Sequence, residues 1–173
     1  MKNVMPILFV ILMSTTSTAQ VMKPRHIPNP NIDFVGFATL TSQLEPLRET
    51  YRISEAEFID MSKDKDTIVL DTRSAAKYAE LHIEGAVHLN FSDITSDTLA
   101  AVIPSPTTRI LIYCNNNFEN APEPFPLKMA VAALNVPTFV TLYAYGYQNL
   151  YELGPAVDLA TSNIKFAGTA IPE

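Results

Sequence analysis

The single cysteine of this 173-residue chain, Cys114, is the residue best suited to nucleophilic chemistry. It follows residues 109–113, an apolar, β-rich run typical of a strand covered on both faces, and it precedes a predicted loop over residues 115–126. Ligands of parallel sheets lie beyond the carboxyl ends of strands. Backbone N–H groups and a helix N-terminus at such a place lower a thiol pKa and stabilise an anion such as a persulfide. The alternative is a buried cysteine that only packs.

A second polar group follows the strand predicted at residues 67–70 and consists of Asp71, Thr72 and Arg73. Asp71 can accept hydrogen bonds from neighbouring loops. We interpret Arg73 as half of an ion pair that links two loops, and a role at the site is the alternative. His82 could act as a base, although a histidine without a partner in the sequence is more often structural.

Composition and motif content exclude several classes of protein. With 12 Lys and Arg against 18 Asp and Glu, the net charge of −6 argues against binding to nucleic acid. An apolar fraction of 47% fits one globular domain, and one cysteine excludes a disulfide scaffold. The histidines lack paired ligand spacing, and the sequence has no P-loop, dinucleotide or nucleophile-elbow motif. We therefore expect no metal and no cofactor.

Residues 1–20 are predicted to be a signal peptide. Lys2 supplies a positive start, residues 5–13 an apolar core, and residues 17–19 small side chains before a cleavage site. The apolar run is about half of the ~20 residues that span a bilayer, so we expect no stable membrane insertion. A membrane anchor or a buried helix is the alternative. The signal predicts a periplasmic or secreted protein in an oxidising compartment.

The remaining pattern divides into an N-terminal extension (21–50), a domain (51–157) and an irregular C-terminal tail (158–173). The extension is predicted to hold a helix over residues 41–50. In the domain, strands are predicted at 51–53, 67–70, 86–89, 109–113 and 139–142. Helices are predicted after a capping box of Ser54 and Glu57, after Ser74, from Ser92 or Asp93 to Val102, from Pro126 to Leu134, and over 148–153. This alternation predicts an α/β fold with a mostly parallel central sheet and helices on both faces.

These segments resemble the rhodanese family over residues 51–155. Residues 71–73 resemble its Asp-x-Arg box, residues 82–86 its His-Ile-x-Gly-Ala turn, residues 110–114 the strand that carries its cysteine, and residues 143–153 its closing glycine turn and helix. The resemblance implies a rhodanese-like three-layer fold and sulfur transfer. Cys114 would take sulfane sulfur, as a persulfide, from a small donor or a persulfide-bearing protein and pass it to a thiophilic acceptor. The backbone amides of the next five residues would cradle the sulfur: Asn115, Asn116, Asn117, Phe118 and Glu119.

The loop after Cys114 departs from the family pattern. It is longer than usual and contains Glu119 and Glu123 but no Arg, Lys or Gly. These carboxylates disfavour a thiolate and repel thiosulfate, which favours a neutral or protein-bound donor. Asn120 stands where a related phosphatase would need Arg, and a second interpretation of the loop has it capping one helical turn. The alternative function is a catalytically inactive binding module whose Phe118 and Phe125 dock a protein partner.

Overall fold

A computed structural model describes residues 27–171, so the predicted signal peptide at residues 1–20 lies outside the described residues. The chain divides into a first unit, Met1–Ile32, and a second unit, Asp33–Glu173. In the first unit the described residues 27–32 are exposed and contain a turn. The helices and strands given below lie in the second unit.

The second unit is built of five α-helices and nine strands among its described residues. The helices are α1 (Phe34–Thr50), α2 (Glu55–Ser62), α3 (Ala75–Glu80), α4 (Ser96–Val102) and α5 (Asn135–Ala144). The strands are β1 (Arg52–Ile53), β2 (Thr67–Asp71), β3 (His82–Ile83), β4 (Val87–His88), β5 (Arg109–Tyr113), β6 (Phe118–Glu119), β7 (Leu150–Leu153), β8 (Val157–Asp158) and β9 (Phe166–Ala167).

A five-stranded parallel sheet, in the order β1-β7-β5-β2-β4, forms the centre of the unit. Side chains alternate across β5, as strand geometry requires. Leu111 and Tyr113 pack in one core with Phe58 of α2, whereas Ile110 and Ile112 pack in a second core with residues of α1, α4 and α5. The predicted α/β class with a mostly parallel sheet between helical layers is therefore confirmed.

Local capping explains where several helices begin. The predicted capping box is present: Ser54 Oγ accepts the N–H of Glu57, and the Glu57 carboxylate accepts the N–H of Ser54 at 2.8 Å. Ser74 caps α3 as predicted. The cap predicted at Ser92 or Asp93 is wrong, because α4 is capped by Thr95 and residues 91–93 form a separate 3-10 turn.

The helices and strands predicted between residues 127 and 153 are wrong. Residues 127–134 hold a 3-10 turn, Ala130–Ala132, where a helix is predicted, and residues 139–142 lie inside α5 where a strand is predicted. Pro137 lies in the first turn of α5, where its missing N–H costs no hydrogen bond. Residues 150–153, predicted as helix, are β7.

The segments flanking the predicted domain also carry regular structure. The helix predicted over residues 41–50 begins earlier, because Asp33 accepts the N–H of Gly36 and caps α1 at Phe34. Residues 158–173 are not wholly irregular, since β8 pairs with β6 and β9 pairs with β3. The domain boundaries themselves stay predictions.

Candidate functional site

Cys114 directly follows β5 at the carboxyl edge of the sheet, and it is 2% exposed. The alternation along β5 gives its side chain the same face as Ile110 and Ile112, toward α1 and α5. The start of α5 meets the sulfur, through the N–H groups of Leu134 and Asn135. Cys114 thus lies at a strand end as predicted, but the helix that reaches it is α5 and not the helix predicted from Pro126 to Leu134.

Three backbone N–H groups surround the Cys114 sulfur. Those of Asn116, Leu134 and Asn135 are placed to lower the pKa of the thiol, whereas the N–H of Asn117 donates to the Cys114 carbonyl at 3.2 Å. The Oδ1 of the Asn117 side chain accepts a hydrogen bond from the Cys114 N–H at 2.9 Å. A neutral thiol is a weak acceptor, whereas a ring of N–H donors suits an anion. The arrangement is therefore adapted to a negatively charged sulfur.

Burial opposes that charge. Burial raises the pKa of the Cys114 thiol, the surrounding N–H groups lower it, and the carboxylate of Glu152 raises it further. Burial dominates, so the net pKa lies above its ordinary value. In this closed conformation the thiol is protonated at neutral pH.

Glu152 belongs to β7 and is 2% exposed. Arg48 of α1 binds it with both arms of its guanidinium, Nε to Oε2 at 2.8 Å and Nη2 to Oε1 at 2.6 Å. Arg52 Nε lies 3.7 Å from Oε1. Burial raises the pKa of Glu152, and the two arginines lower it.

Two buried asparagines join Glu152 to the sulfur. The Nδ2 of Asn117 donates to the carbonyls of Leu153 at 2.7 Å and Pro155 at 3.2 Å, which fixes the orientation of its amide. Its Oδ1 accepts a hydrogen bond from the Nδ2 of Asn135 at 3.0 Å, and Asn135 lies near enough to the Glu152 carboxylate to lower its pKa.

Asp71 and Arg73 lie on the other face of the sheet. The Arg73 guanidinium binds Asp71 through Nε at 3.0 Å and Nη2 at 2.6 Å, and both side chains are buried. The Tyr113 hydroxyl donates to the same carboxylate. Because Tyr113 and Cys114 point to opposite faces of the sheet, the Asp71–Arg73 ion pair lies on the face opposite to the Cys114 sulfur.

Arg73 also holds the loop after Cys114. Its Nη1 donates to the carbonyl of Pro124 at 3.1 Å, and the guanidinium carbon lies 4.4 Å from the ring centre of Phe125. Phe125 packs against Phe118 with ring centres 4.4 Å apart. The interpretation of Arg73 as half of an ion pair linking loops agrees with these contacts.

The loop contains more structure than the sequence predicts. One turn is closed by the N–H of Phe125 on the carbonyl of Ala121 at 2.9 Å. Asn120 does not cap it, because Asn120 adopts a positive φ of 60° and its side chain donates to Asp158. Phe118 and Glu119, which were predicted to cradle the sulfur, form β6 and pair with β8.

His82 stacks on Tyr78 with ring centres 3.8 Å apart, and its Nδ1 contacts the Tyr78 carbonyl at 2.7 Å. Within residues 27–171, no hydrogen bond joins His82 or Arg73 to Cys114. Of the predicted loop residues, Asn116 acts on the sulfur through its N–H, Asn117 binds the Cys114 backbone, and Asn115 begins their turn. Sequence reasoning missed Arg48, Asn135 and Glu152; a glutamate inside the apolar run 150–153 was the available signal.

An apolar strip follows the loop. Leu127, Met129 and Val131 are each more than 75% exposed, and they alternate along the extended segment that leads into α5. Lys128 between them exchanges two hydrogen bonds with the Asn116 side chain, at 2.8 and 3.0 Å. The strip is thus tied to the turn that contacts the sulfur.

The family model described as "Rhodanese-like domain" matches residues 54–153. The chain belongs to the rhodanese-like family. Among solved structures it is similar to the BH2092 protein from Bacillus halodurans, at 23% identity over 82% of this chain and 88% of that one, with a TM-score of 0.50. It is also similar to the rhodanese-like domain of the Alr3790 protein from Anabaena sp., at 16% identity over 69% and 80% of the two chains, with a TM-score of 0.50. Comparison with curated proteins gives no match.

Between residues 27 and 171, no helix is long and apolar enough to cross a bilayer. In the same range, no group of three or more His, Cys, Asp or Glu side chains is placed to hold a metal ion.

Proposed function

We propose that this rhodanese-like domain carries sulfane sulfur as a persulfide on Cys114 and passes it to a thiophilic acceptor. The observation that carries the proposal is the convergence of three backbone N–H groups, those of Asn116, Leu134 and Asn135, on the Cys114 sulfur. Such donors stabilise a thiolate and a persulfide anion, whereas a cysteine that only packs would gain little from them.

The transfer step balances without an added oxidant. The Cys114 thiolate attacks the outer sulfur of a hydropersulfide R–S–SH, the S–S bond of the donor breaks, and the thiolate RS⁻ leaves and takes a proton. The product is a persulfide on Cys114, which a second thiolate removes by the same exchange. Because Cys114 is 2% exposed, the step requires a local opening of the residues that cover its sulfur.

The charges near the sulfur favour a neutral or protein-bound donor. Glu152 is the charged side chain that acts on Cys114, and the loop adds Glu119 and Glu123. Thiosulfate carries two negative charges and would be repelled. A protein that brings its own persulfide could contact the apolar strip of Leu127, Met129 and Val131.

The test is the intact mass of the purified protein after incubation with glutathione hydropersulfide, with polysulfide and with thiosulfate. We expect a gain of about 32 Da, one sulfur atom, that dithiothreitol removes. The Cys114→Ser protein should gain nothing. Ser92→Ala, at an exposed position of similar size, is the matched control and should gain sulfur normally. An adduct that survives in Cys114→Ser would exclude Cys114 as the carrier.

The second candidate is an inactive binding module, and two observations favour it: the buried thiol with its raised pKa, and the exposed apolar strip. In that case the loop and strip dock a protein, and Cys114 only packs. A folded protein that gains no sulfur from any of the three donors, and whose Cys114 resists alkylation in the native state, would establish this function instead.

We further propose that the protein is exported to the periplasm or the outside of the cell. The proposal rests on the charged start, apolar core and small residues of positions 1–20. The mass of the protein recovered from the producing cells tests it: cleavage near residue 20 supports export, and an intact N-terminus in the cytoplasmic fraction contradicts it.

A further inference from the structure

A chain of buried polar contacts runs from α1 to the sulfur. Arg48 binds Glu152 with two hydrogen bonds of 2.8 and 2.6 Å, and Glu152 lies on the strand next to β5. Asn135 contacts Glu152 and donates to Asn117 at 3.0 Å, and Asn117 accepts the N–H of Cys114 at 2.9 Å. Glu152, Asn135, Asn117 and Cys114 are buried and Arg48 is partly buried, so water screens the charges of this group only weakly.

Side chains from α1, β1, α5 and the end of β5 face the Glu152 carboxylate. Arg48 faces it from α1, Arg52 from β1, Asn135 from α5 and Cys114 from the end of β5. Arg48 makes the close bidentate contact, and Arg52 lies farther away at 3.7 Å. The charge that the sulfur experiences from Glu152 is therefore set mainly by Arg48.

Arg48 precedes residues 54–153, the range that matches the family model. The helix that carries it, α1, lies outside the range that matches the family model. The side chain of Arg48 is 22% exposed, whereas the side chain of Glu152 is only 3% exposed.

We propose that α1 controls the reactivity of Cys114, with Arg48 acting as a positioning residue that neutralises Glu152 beside the sulfur. The inference deepens the proposed function, because the same thiol takes up the sulfur. It concerns the ease of forming the thiolate, which can be measured without any sulfur donor.

Removing Arg48 and removing the charge of Glu152 should change the stability of the Cys114 thiolate in opposite directions. Without Arg48, the Glu152 carboxylate keeps only the more distant Arg52 and disfavours the thiolate. Without the Glu152 charge, Arg48 and Arg52 favour the thiolate. Removing both charges should return Cys114 close to its original state.

The experiment measures the rate of Cys114 alkylation by iodoacetamide from about pH 6 to 11, by intact mass, in the wild type, Arg48→Met, Glu152→Gln and the double variant. At about pH 8 we expect Arg48→Met to react about threefold to tenfold more slowly and Glu152→Gln to react faster by a similar factor. The double variant should lie within about twofold of the wild type. The midpoint of the pH profile should move in the same order. An opening motion changes the rate at every pH equally and leaves that midpoint in place.

The matched control is Arg109→Met, which removes an arginine from an exposed ion pair with Asp64 at the opposite edge of the sheet and should leave the midpoint unchanged. If Arg48→Met does not fold, Arg48→Lys keeps the charge without the bidentate contact and should give a smaller shift in the same direction. Equal midpoints in all folded variants, or shifts of both single variants in one direction, would overturn the inference. A shifted midpoint in a protein that accepts no sulfur would refute the proposed function and leave this inference standing.

Discussion

Arg73→Met should destabilise this domain more than any exposed-charge substitution. The Arg73 guanidinium neutralises the buried Asp71 and satisfies the carbonyls of Pro124, at 3.1 Å, and Leu81, at 2.7 Å. Methionine fills a similar volume but leaves a buried carboxylate without its cation and two carbonyls without donors.

The size of the effect follows from these contacts. Removing one partner of a buried ion pair costs about 3–5 kcal/mol. A loss of about 4 kcal/mol, at a urea dependence of about 2 kcal/mol per molar, lowers the midpoint of unfolding by about 2 M. That is a large part of the 5–15 kcal/mol typical of whole domains.

The assay is equilibrium urea unfolding followed by circular dichroism. Arg109→Met is the control, because its ion pair with Asp64 leaves the two side chains 33% and 46% exposed and should contribute little. The double variant Asp71→Asn with Arg73→Met removes both charges and should recover part of the loss. An Arg73→Met midpoint equal to that of Arg109→Met would show that our assignment of Arg73 as the tie between the core and the loop is mistaken.

Three further outcomes are expected. Ser54→Ala removes the cap of α2 and should lower the free energy of unfolding by about 1 kcal/mol, whereas Ser54→Thr should keep most of it; equal losses would argue against the cap. Gly168→Ala should lower the melting temperature, because Gly168 has φ +137° and an added Cβ would meet the Glu80 carbonyl oxygen at 2.4 Å, a clash that Gly85→Ala, with open space around it, should avoid. The raised pKa of Cys114 means that the folded state holds the thiol proton more tightly than the unfolded state. That stability is present below the ordinary thiol pKa and is lost as the pH rises through the raised value. The urea midpoint should therefore fall more steeply above about pH 8.5 in the wild type than in Cys114→Ser, and parallel curves would contradict the shift.

The regular first part of the domain could be predicted because local and tertiary preferences agree there. Residues 67–70 and 109–113 are continuous apolar runs, and both form strands at the centre of the sheet. Ser54 and Ser74 cap helices through contacts three residues along the chain, which sequence alone displays.

The helices and strands of the second part of the domain could not be predicted, because full burial of a segment removes the hydrophobic periodicity that distinguishes a helix from a strand. In α5, Thr138, Phe139, Val140 and Leu142 are all buried, so the helix shows an apolar run that is equally typical of a strand. Conversely, the segment from Leu127 to Leu134 has helical spacing but exposes its apolar side chains.

The site likewise contains residues that could be predicted from the sequence and residues that could not. The place of Cys114 follows from its strand, and the role of Arg73 from its spacing to Asp71. The contact of Arg48 with Glu152 joins residues 104 positions apart and depends on β7 entering the sheet between β1 and β5, which no local pattern reveals.

The position of β7 has a consequence for synthesis on the ribosome. β7 lies between β1 and β5, although it is made about a hundred residues after β1. Until residue 153 has left the exit tunnel, β1 has no neighbour and β5 has an open edge that can pair with other chains. The nascent domain therefore completes its sheet only near the end of translation, and the nest of N–H groups around Cys114 is assembled in that last step.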